Sequence, residues 1–137
     1  MLIKRGTTRI TLILGNWAIK IPILNRSLKH FVKGWLGNID ERNIWRKTKH
    51  TQLCPIYFSV FGLINVMPRA IPIYETLWKF DKQWAFRTFN NVPVDLDVCS
   101  GWKNFGYVNG SIVVLDYAVC RESSEFCSDC DNNCILK

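Results

Sequence analysis

Long apolar runs are absent from this chain of 137 residues. Its longest apolar stretch, residues 55–68, is too short and too interrupted to span a bilayer. Residues 1–6 show no apolar region of the kind that a secretory signal peptide requires. We therefore expect a cytoplasmic protein, with no membrane partner and with its six cysteines reduced or metal-bound rather than paired in disulfides.

Acidic residues are scarce in the first fifty residues, which hold two of them against eleven Lys and Arg. Residues 91–137 show the reverse bias, with seven acidic residues against three basic ones. A basic first half can attract nucleic acid or an acidic protein, although a solvated basic face is the commoner meaning of such a bias. Interleaved Trp and Phe residues, on which bases could stack, keep nucleic-acid binding as an alternative, although no recognisable nucleic-acid motif accompanies them.

Strands are predicted at both ends of the first half. Residues 8–14 and 17–21 form a hairpin around a Gly-Asn turn, and residues 56–60 and 62–67 form a second strand pair. Six Trp and eight Phe indicate a globular core large enough for one domain.

Helices are predicted between and after these strands. Asn38 and Glu41 match an Asn-x-x-Glu capping box, which predicts a helix from Ile39 to about Lys49, while Gly34 and Gly37 are expected to act as breakers before it. Two further helical stretches are predicted over the ranges 71–80 and 81–90.

A second hairpin is predicted further along the chain. Residues 105–108 and 112–115 form its strands, and Asn109-Gly110 is a strong signal for a two-residue turn. The hairpin brings Asn104 and Asp116 to adjacent strand ends. Amide and carboxylate oxygens suit Mg²⁺, so the sequence predicts a magnesium site there. An ordinary buried hairpin with an aspartate at a strand end explains the same pattern.

Asn104-Phe105-Gly106 and, after six intervening residues, the run Val113 to Ala118 resemble part of the protein-kinase-like fold. In that fold a catalytic loop ends in Asn, a hairpin follows, and a strand ends in Asp-Phe-Gly. The form is especially similar to small kinase-like proteins encoded by bacteriophages. Ala18-Ile19-Lys20 likewise resembles the Val-Ala-Ile-Lys strand of kinases. The order of predicted elements over residues 8–118 also matches this fold.

The resemblance implies an α+β architecture, a reduced protein-kinase-like fold. An N-lobe of about residues 1–67 would hold a small antiparallel sheet and a helix. A hinge at 68–70 would lead into a truncated helical C-lobe with a β-hairpin at 71–118. Residues 119–137 would form a separate Cys-rich tail, a candidate zinc knuckle.

The resemblance also implies roles for matching residues. Lys20 would bind ATP phosphates, Glu41 would pair with Lys20, and Met67 would lie at the back of the nucleotide pocket. Asn104 and Asp116 would hold Mg²⁺. Residue types alone explain Glu41 equally well as a helix cap and Met67 as a core side chain.

The aspartate that serves as catalytic base in the kinase-like pattern is missing from its usual position in this chain. It is expected five residues before Asn104, where the sequence has Cys99. Either the base is lost and the chain is a pseudokinase, or Trp102-Lys103 is an insertion and Asp97 reaches the same place. Asp95 is a third candidate.

The cysteines near the end of the chain carry a second chemical signal. Four of them form a Cys-x6-Cys-x2-Cys-x3-Cys pattern that could complete a tetrahedral Zn²⁺ site, with Cys99 as an alternative fourth ligand: Cys120, Cys127, Cys130 and Cys134. Free thiols, a redox-active pair or disulfides are the competing interpretations. Cys54 is expected to be a small buried hydrophobe, and His30 and His50 have no ligand spacing.

Two departures argue against phosphoryl transfer. No Gly-x-Gly-x-x-Gly precedes Lys20, and the nineteen residues after Ala118 leave no room for a substrate platform. The leading interpretation is a phage-type kinase-like protein, a pseudokinase, that binds and modulates a host or phage protein through its aromatic and basic surface. The alternatives are a basic nucleic-acid-binding protein and an active minimal Mg·ATP-dependent kinase that uses Lys20, Glu41, Asp97, Asn104 and Asp116.

Overall fold

A computed structural model of the chain describes residues 1–25, 27–73 and 104–117. These residues form one α-helix and eight β-strands, which confirms the expected α+β class. In chain order the elements are β1 Leu2–Arg5, β2 Arg9–Leu14, β3 Trp17–Pro22, α1 Leu28–Thr48, β4 Phe58–Val60, β5 Ile64–Pro68, β6 Ile71–Pro72, β7 Phe105–Val108 and β8 Ser111–Val114. Among the described residues no helix combines the length and the apolar character needed to cross a membrane.

Strands β1 to β5 form an antiparallel sheet in the order β1-β2-β3-β5-β4, and β6, β7 and β8 form a separate three-stranded sheet. The predicted N-terminal hairpin is confirmed as β2 and β3, with Leu14 opposite Trp17 across the Gly-Asn turn. The second predicted strand pair is confirmed as β4 and β5. Strand β1 was not foreseen, and it extends the sheet beyond β2.

The two faces of the five-stranded sheet differ in chemistry. Residues paired across antiparallel strands lie on the same face. The inner face, which contacts α1, carries charged and polar residues together with apolar ones: Leu2, Lys4, Arg9, Thr11, Ile13, Ala18, Lys20, Pro22, Ser59, Asn65 and Met67. On the outer face every residue is exposed or half-buried, and Arg5 is the only charged member of the set Ile3, Arg5, Ile10, Leu12, Leu14, Trp17, Ile19, Ile21, Phe58, Val60, Ile64, Val66 and Pro68.

Helix α1 begins at Leu28, so the predicted start at Ile39 was wrong. Its N-cap is Ser27, whose hydroxyl oxygen accepts from the backbone N–H of His30 at 3.4 Å. Because Ser27 supplies the cap, Asn38 lies inside the helix and does not open it.

Gly34 lies within α1 and does not break it, because the helix packs closely on the sheet at that point. A Cβ atom at Gly34 would lie 2.3 Å from the carbonyl oxygen of Thr8 and 3.2 Å from Cα of Pro22. Gly37, one turn further on, is also buried within the helix. Gly34 therefore permits a close approach of the helix to the sheet, which a search for helix breakers in the sequence cannot detect.

The hairpin of β7 and β8 has the predicted turn, in which Asn109 has φ 50° and Gly110 has φ 78°. Strand β6 pairs with β7 on the side away from β8, with Ile71 opposite Tyr107. The prediction of a helix from residue 71 was therefore wrong at its start, because these residues satisfy the backbone groups along β7. The remainder of that helix and the predicted helix 81–90 lie outside the described residues.

The hydrophobic core joins the hairpin to the segment after α1. Leu53 forms a parallel bridge with Val114, and the Cys54 N–H donates to the Val114 carbonyl oxygen at 2.9 Å. The Tyr117 hydroxyl donates to the carbonyl oxygen of Cys54 at 2.8 Å, and burial raises the pKa of that phenol well above its usual range. Burial likewise raises the pKa of the Cys54 thiol to about 12. Cys54 is thus the small buried hydrophobe that was predicted.

Replacing Gly34 with alanine should lower the free energy of unfolding by about 1–3 kcal/mol, because the new Cβ would force α1 away from the sheet. This loss should appear even though alanine is better than glycine inside a helix by about 1 kcal/mol. Urea unfolding of both proteins measures the difference. The matched control is Asn43→Ala, at an exposed position of the same helix, which should not destabilise. Equal or greater stability of Gly34→Ala would show that a Cβ is accommodated between α1 and the sheet, and it would contradict this prediction.

Candidate functional site

Four charged side chains meet at the inner face of the sheet. Arg9 begins β2, Lys20 lies in β3, Glu41 lies in α1, and Asp116 follows β8. We call these four residues the ion cluster. It contains two cations and two carboxylates, so its formal charge is balanced.

Lys20 links the sheet to both the helix and the hairpin. Its Nζ lies 2.8 Å from Oε1 of Glu41 and donates to the carbonyl oxygen of Leu115 at 2.6 Å. The residue is buried. The ion pair between Lys20 and Glu41 that the kinase resemblance implies is therefore present, and its ammonium also contacts the backbone directly before Asp116.

Arg9 is the member of the cluster that sequence reasoning missed. One guanidinium nitrogen, Nη1, lies 2.9 Å from Oε1 of Glu41, and the other, Nη2, donates to Oδ1 of Asp116. Its side chain is only 11% exposed. A usable signal was the hairpin register, since a turn at Gly15-Asn16 puts Thr11 opposite Lys20 and Arg9 two residues further along the same face.

Glu41 is fully buried and accepts from both cations through Oε1. Its other oxygen, Oε2, has no hydrogen-bond partner among the residues that the structure describes. Removal of one partner from a buried ion pair costs about 3–5 kcal/mol, because it leaves a charge uncompensated. Glu41 thus holds α1 on the sheet electrostatically, and it does not serve as the capping residue that was predicted.

A network of amides holds the helix beside the cluster. The side-chain nitrogen of Asn38 donates to the carbonyl oxygens of Gly62 at 2.9 Å and Lys20 at 3.3 Å. The side chain of Asn65 in turn donates to the backbone oxygen of Asn38 at 2.9 Å, and its own oxygen accepts from Ser59 at 2.7 Å. Asn38 is therefore a positioning residue in the helix interior.

The electrostatic field of the cluster acts strongly on Asp116. Burial by itself raises the pKa of this carboxyl, but attraction by Arg9 and Lys20 and the hydrogen bond from Arg9 outweigh it, and the pKa falls well below its usual range. Burial lowers the pKa of Arg9, whereas Glu41 and Asp116 together raise it above its usual value. Both groups are therefore charged at neutral pH.

The remaining predicted site residues are placed as follows. Asn104 accepts through its backbone oxygen from the N–H of Leu115 at 2.7 Å, so Asn104 and Asp116 do lie at adjacent ends of the hairpin strands. Met67 is buried in the core cluster on the inner face. Their roles in holding Mg²⁺ and lining a nucleotide pocket stay predictions. The following residues lie outside the described part of the chain: Asp95, Asp97, Cys99, Cys120, Cys127, Cys130 and Cys134.

The oxygens available for a magnesium ion depend on Arg9. Within the ranges 1–25, 27–73 and 104–117, no three His, Cys, Asp or Glu side chains gather as a metal-binding group. The carboxylate of Asp116 accepts from Arg9, whose guanidinium also contacts Glu41. A divalent cation at Asp116 would therefore compete with the guanidinium of Arg9 for Oδ1 of this carboxylate.

No known protein family, no curated protein and no solved structure matches this chain.

Acid should lower the stability of the protein by protonating the carboxylate of Asp116 in the ion cluster. A carboxyl whose pKa is lowered by folding binds protons more readily in the unfolded chain, so its contribution to stability is complete above about pH 5 and declines as the pH falls further. The Asp116→Asn variant lacks this titration. We expect its melting temperature to be lower than that of the parent protein at pH 7 and to converge on it as the pH is lowered towards 3. Two melting curves that fall in parallel with pH would contradict the role of Asp116.

Proposed function

We propose that this protein is a reduced kinase-like scaffold of the phage-encoded type, which binds and modulates a host or phage protein and does not transfer phosphate. The observation that carries the proposal is the environment of Lys20, whose ammonium is buried between the carboxylate of Glu41 and the carbonyl oxygen of Leu115.

The kinase-like part of the proposal is supported by the order in which the cluster is built. The lysine comes from the third strand, the glutamate from the following helix, and the aspartate from the end of a later hairpin. Lys20 and Glu41 form an ion pair, and Asp116 lies beside them through Arg9. This is the order of elements and contacts that the resemblance implies for a kinase-like site.

The proposed absence of phosphoryl transfer is supported by the contacts of the Lys20 ammonium group. Its contact of 2.6 Å with Leu115 leaves no space for a phosphate oxygen between the ammonium and the strand end. Three residues connect β1 to β2, with the N–H of Gly6 donating to the oxygen of Arg9 at 2.8 Å. Such a tight turn is too short to cover phosphates in the way that a six-residue glycine-rich loop does.

A binding role is supported by the outer face of the sheet, defined above. Twelve of its thirteen residues are apolar, and none of them is buried. Four of the twelve, Ile3, Leu14, Trp17 and Phe58, are exposed and the other eight are half-buried. Apolar surface that stays open to solvent marks sites of protein association. Trp17 and Tyr57 are in edge-to-face contact at 5.6 Å between ring centroids, which presents a rigid aromatic anchor beside this face.

Nucleotide should neither stabilise the protein nor be consumed by it. We expect Mg·ATP to leave the melting temperature unchanged, whereas a ligand at one hundred times its Kd would add about 2.7 kcal/mol of stability. The measurement is thermal unfolding with and without Mg·ATP, together with an assay for γ-phosphate transfer. The alternative of an active minimal kinase would be established by transfer that disappears in both Lys20→Ala and Asp116→Ala.

Partner binding should depend on the outer face. Charged substitutions at Leu14 and Phe58, which are 41% and 59% exposed, should abolish capture of a partner protein from a bacterial lysate with little change in stability. The matched control is Leu28→Lys, which introduces the same charge at a residue that is 77% exposed on the helix. Capture that survives Leu14→Lys with Phe58→Lys, or that is lost in the control as well, would remove the outer face as the binding surface.

A further inference from the structure

Three oxygen-bearing side chains converge on the guanidinium of Arg9. Oδ1 of Asn38 accepts from Nη1 at 3.3 Å, Oε1 of Glu41 lies 2.9 Å from the same nitrogen, and Oδ1 of Asp116 accepts from Nη2. Asn38 lies in the middle of α1, Glu41 lies one turn further along the same helix, and Asp116 follows β8. The guanidinium therefore fills a position that is surrounded by oxygen from two separate segments.

Two of the three oxygen-bearing side chains, Asn38 and Glu41, are held in place by contacts other than those with Arg9. The amide nitrogen of Asn38 donates to two backbone carbonyls, of Gly62 and Lys20, which fixes the direction of its Oδ1 atom. Glu41 is held through its ion pair with Lys20 and is fully buried. Its Oε2 atom lacks a hydrogen-bond partner in the part of the chain that the structure describes. A buried carboxylate oxygen in that condition has unused capacity to bind a cation.

This set of donors matches the preference of hard cations. Carboxylate and amide oxygens are the protein ligands that Mg²⁺ and Mn²⁺ take, and Mg²⁺ fills its remaining positions with water. Asp116 is 44% exposed, so one side of the position is open to solvent. Without Arg9, Lys20 alone would face two carboxylates, and the group would carry one net negative charge.

We propose that Arg9 is a built-in counter-cation that occupies a latent divalent-cation site formed by Asn38, Glu41 and Asp116. In the natural protein the guanidinium balances both carboxylates and keeps metal out. Removal of the side chain leaves the oxygens of Asn38 and Glu41 in place, with Asp116 beside them after β8 and the volume of the guanidinium available to a hydrated ion. The inference depends only on the contacts of Arg9, and it holds whether or not the chain is kinase-like.

The test is thermal unfolding of the full chain and of Arg9→Ala in MnCl₂ and in MgCl₂, titrated through the millimolar range. The parent protein should show no response. Arg9→Ala should be less stable without metal and should gain about 5 °C or more at saturation, with a saturable dependence on Mn²⁺ concentration. If Arg9→Ala is unfolded without metal, Mn²⁺ should refold it, as followed by circular dichroism. A variant that stays unfolded at every Mn²⁺ concentration would overturn the proposal.

Two further variants connect the response to this position. Arg9→Lys keeps the positive charge and should remain insensitive to Mn²⁺. In Arg9→Ala with Asp116→Asn, the response should be lost, because a carboxylate ligand has been removed. A response that persists in the double variant would place the metal elsewhere and overturn the proposal.

The natural protein provides a test that does not depend on any variant folding without Arg9. Electron paramagnetic resonance counts Mn²⁺ bound to the protein directly. The proposal expects the same count for the parent protein and for Asp116→Asn. A bound Mn²⁺ in the parent protein that Asp116→Asn removes would show that Arg9 does not exclude metal.

Discussion

Glu41 carries a carboxylate that is fully buried, and such a group is tolerated only where positive charge and hydrogen bonds replace the water it has lost. Lys20 and Arg9 both donate to its Oε1 atom, and Asp116 balances the second of these cations. Each cation belongs to a different strand, and each anion to a different element. The positions of α1, the sheet and the end of the hairpin therefore follow from one requirement of charge compensation. Apolar packing alone would tolerate small shifts between these elements, whereas ion pairs with defined distances do not.

The same requirement explains why the two faces of the sheet are so different. Polar and charged residues of β2, β3 and β5 point inward because their partners lie on α1 and at the hairpin end. Strand alternation then places most isoleucines, leucines and aromatic residues of those strands outward, while Ile13, Ala18 and Met67 are apolar residues of the inner face. Most half-exposed antiparallel sheets have the opposite arrangement, with the apolar side against the core. With most of the charged residues of these strands on the inner face, the outer face is mainly apolar, and it is the surface that the proposed binding role uses.

The strand pairs β2-β3, β4-β5 and β7-β8 could be predicted because each depends on local turn chemistry. The contact of Lys20 with Glu41 could be predicted because it belongs to a short motif. Asn109-Gly110 determines its turn by itself, since both residues tolerate positive φ. The start of α1 could not be predicted in the same way. Gly34 looks like a helix breaker until the neighbouring backbone of Thr8 is known, and Asn38 looks like a cap until its buried partners are known. Arg9 was missed for a related reason, because a basic residue near the start of a basic chain gives no local sign of a carboxylate 107 residues away.

That separation has a consequence for how the chain folds. During synthesis Arg9, Lys20 and Glu41 leave the ribosome long before Asp116, and until then the three earlier residues hold one excess positive charge. The sheet and helix can assemble locally, but the contact between Arg9 and Asp116 closes a loop of 107 residues. Closures of such high contact order are slow compared with local hairpins and helices. We therefore expect the contact between Arg9 and Asp116 to form after the local contacts of the sheet and the helix.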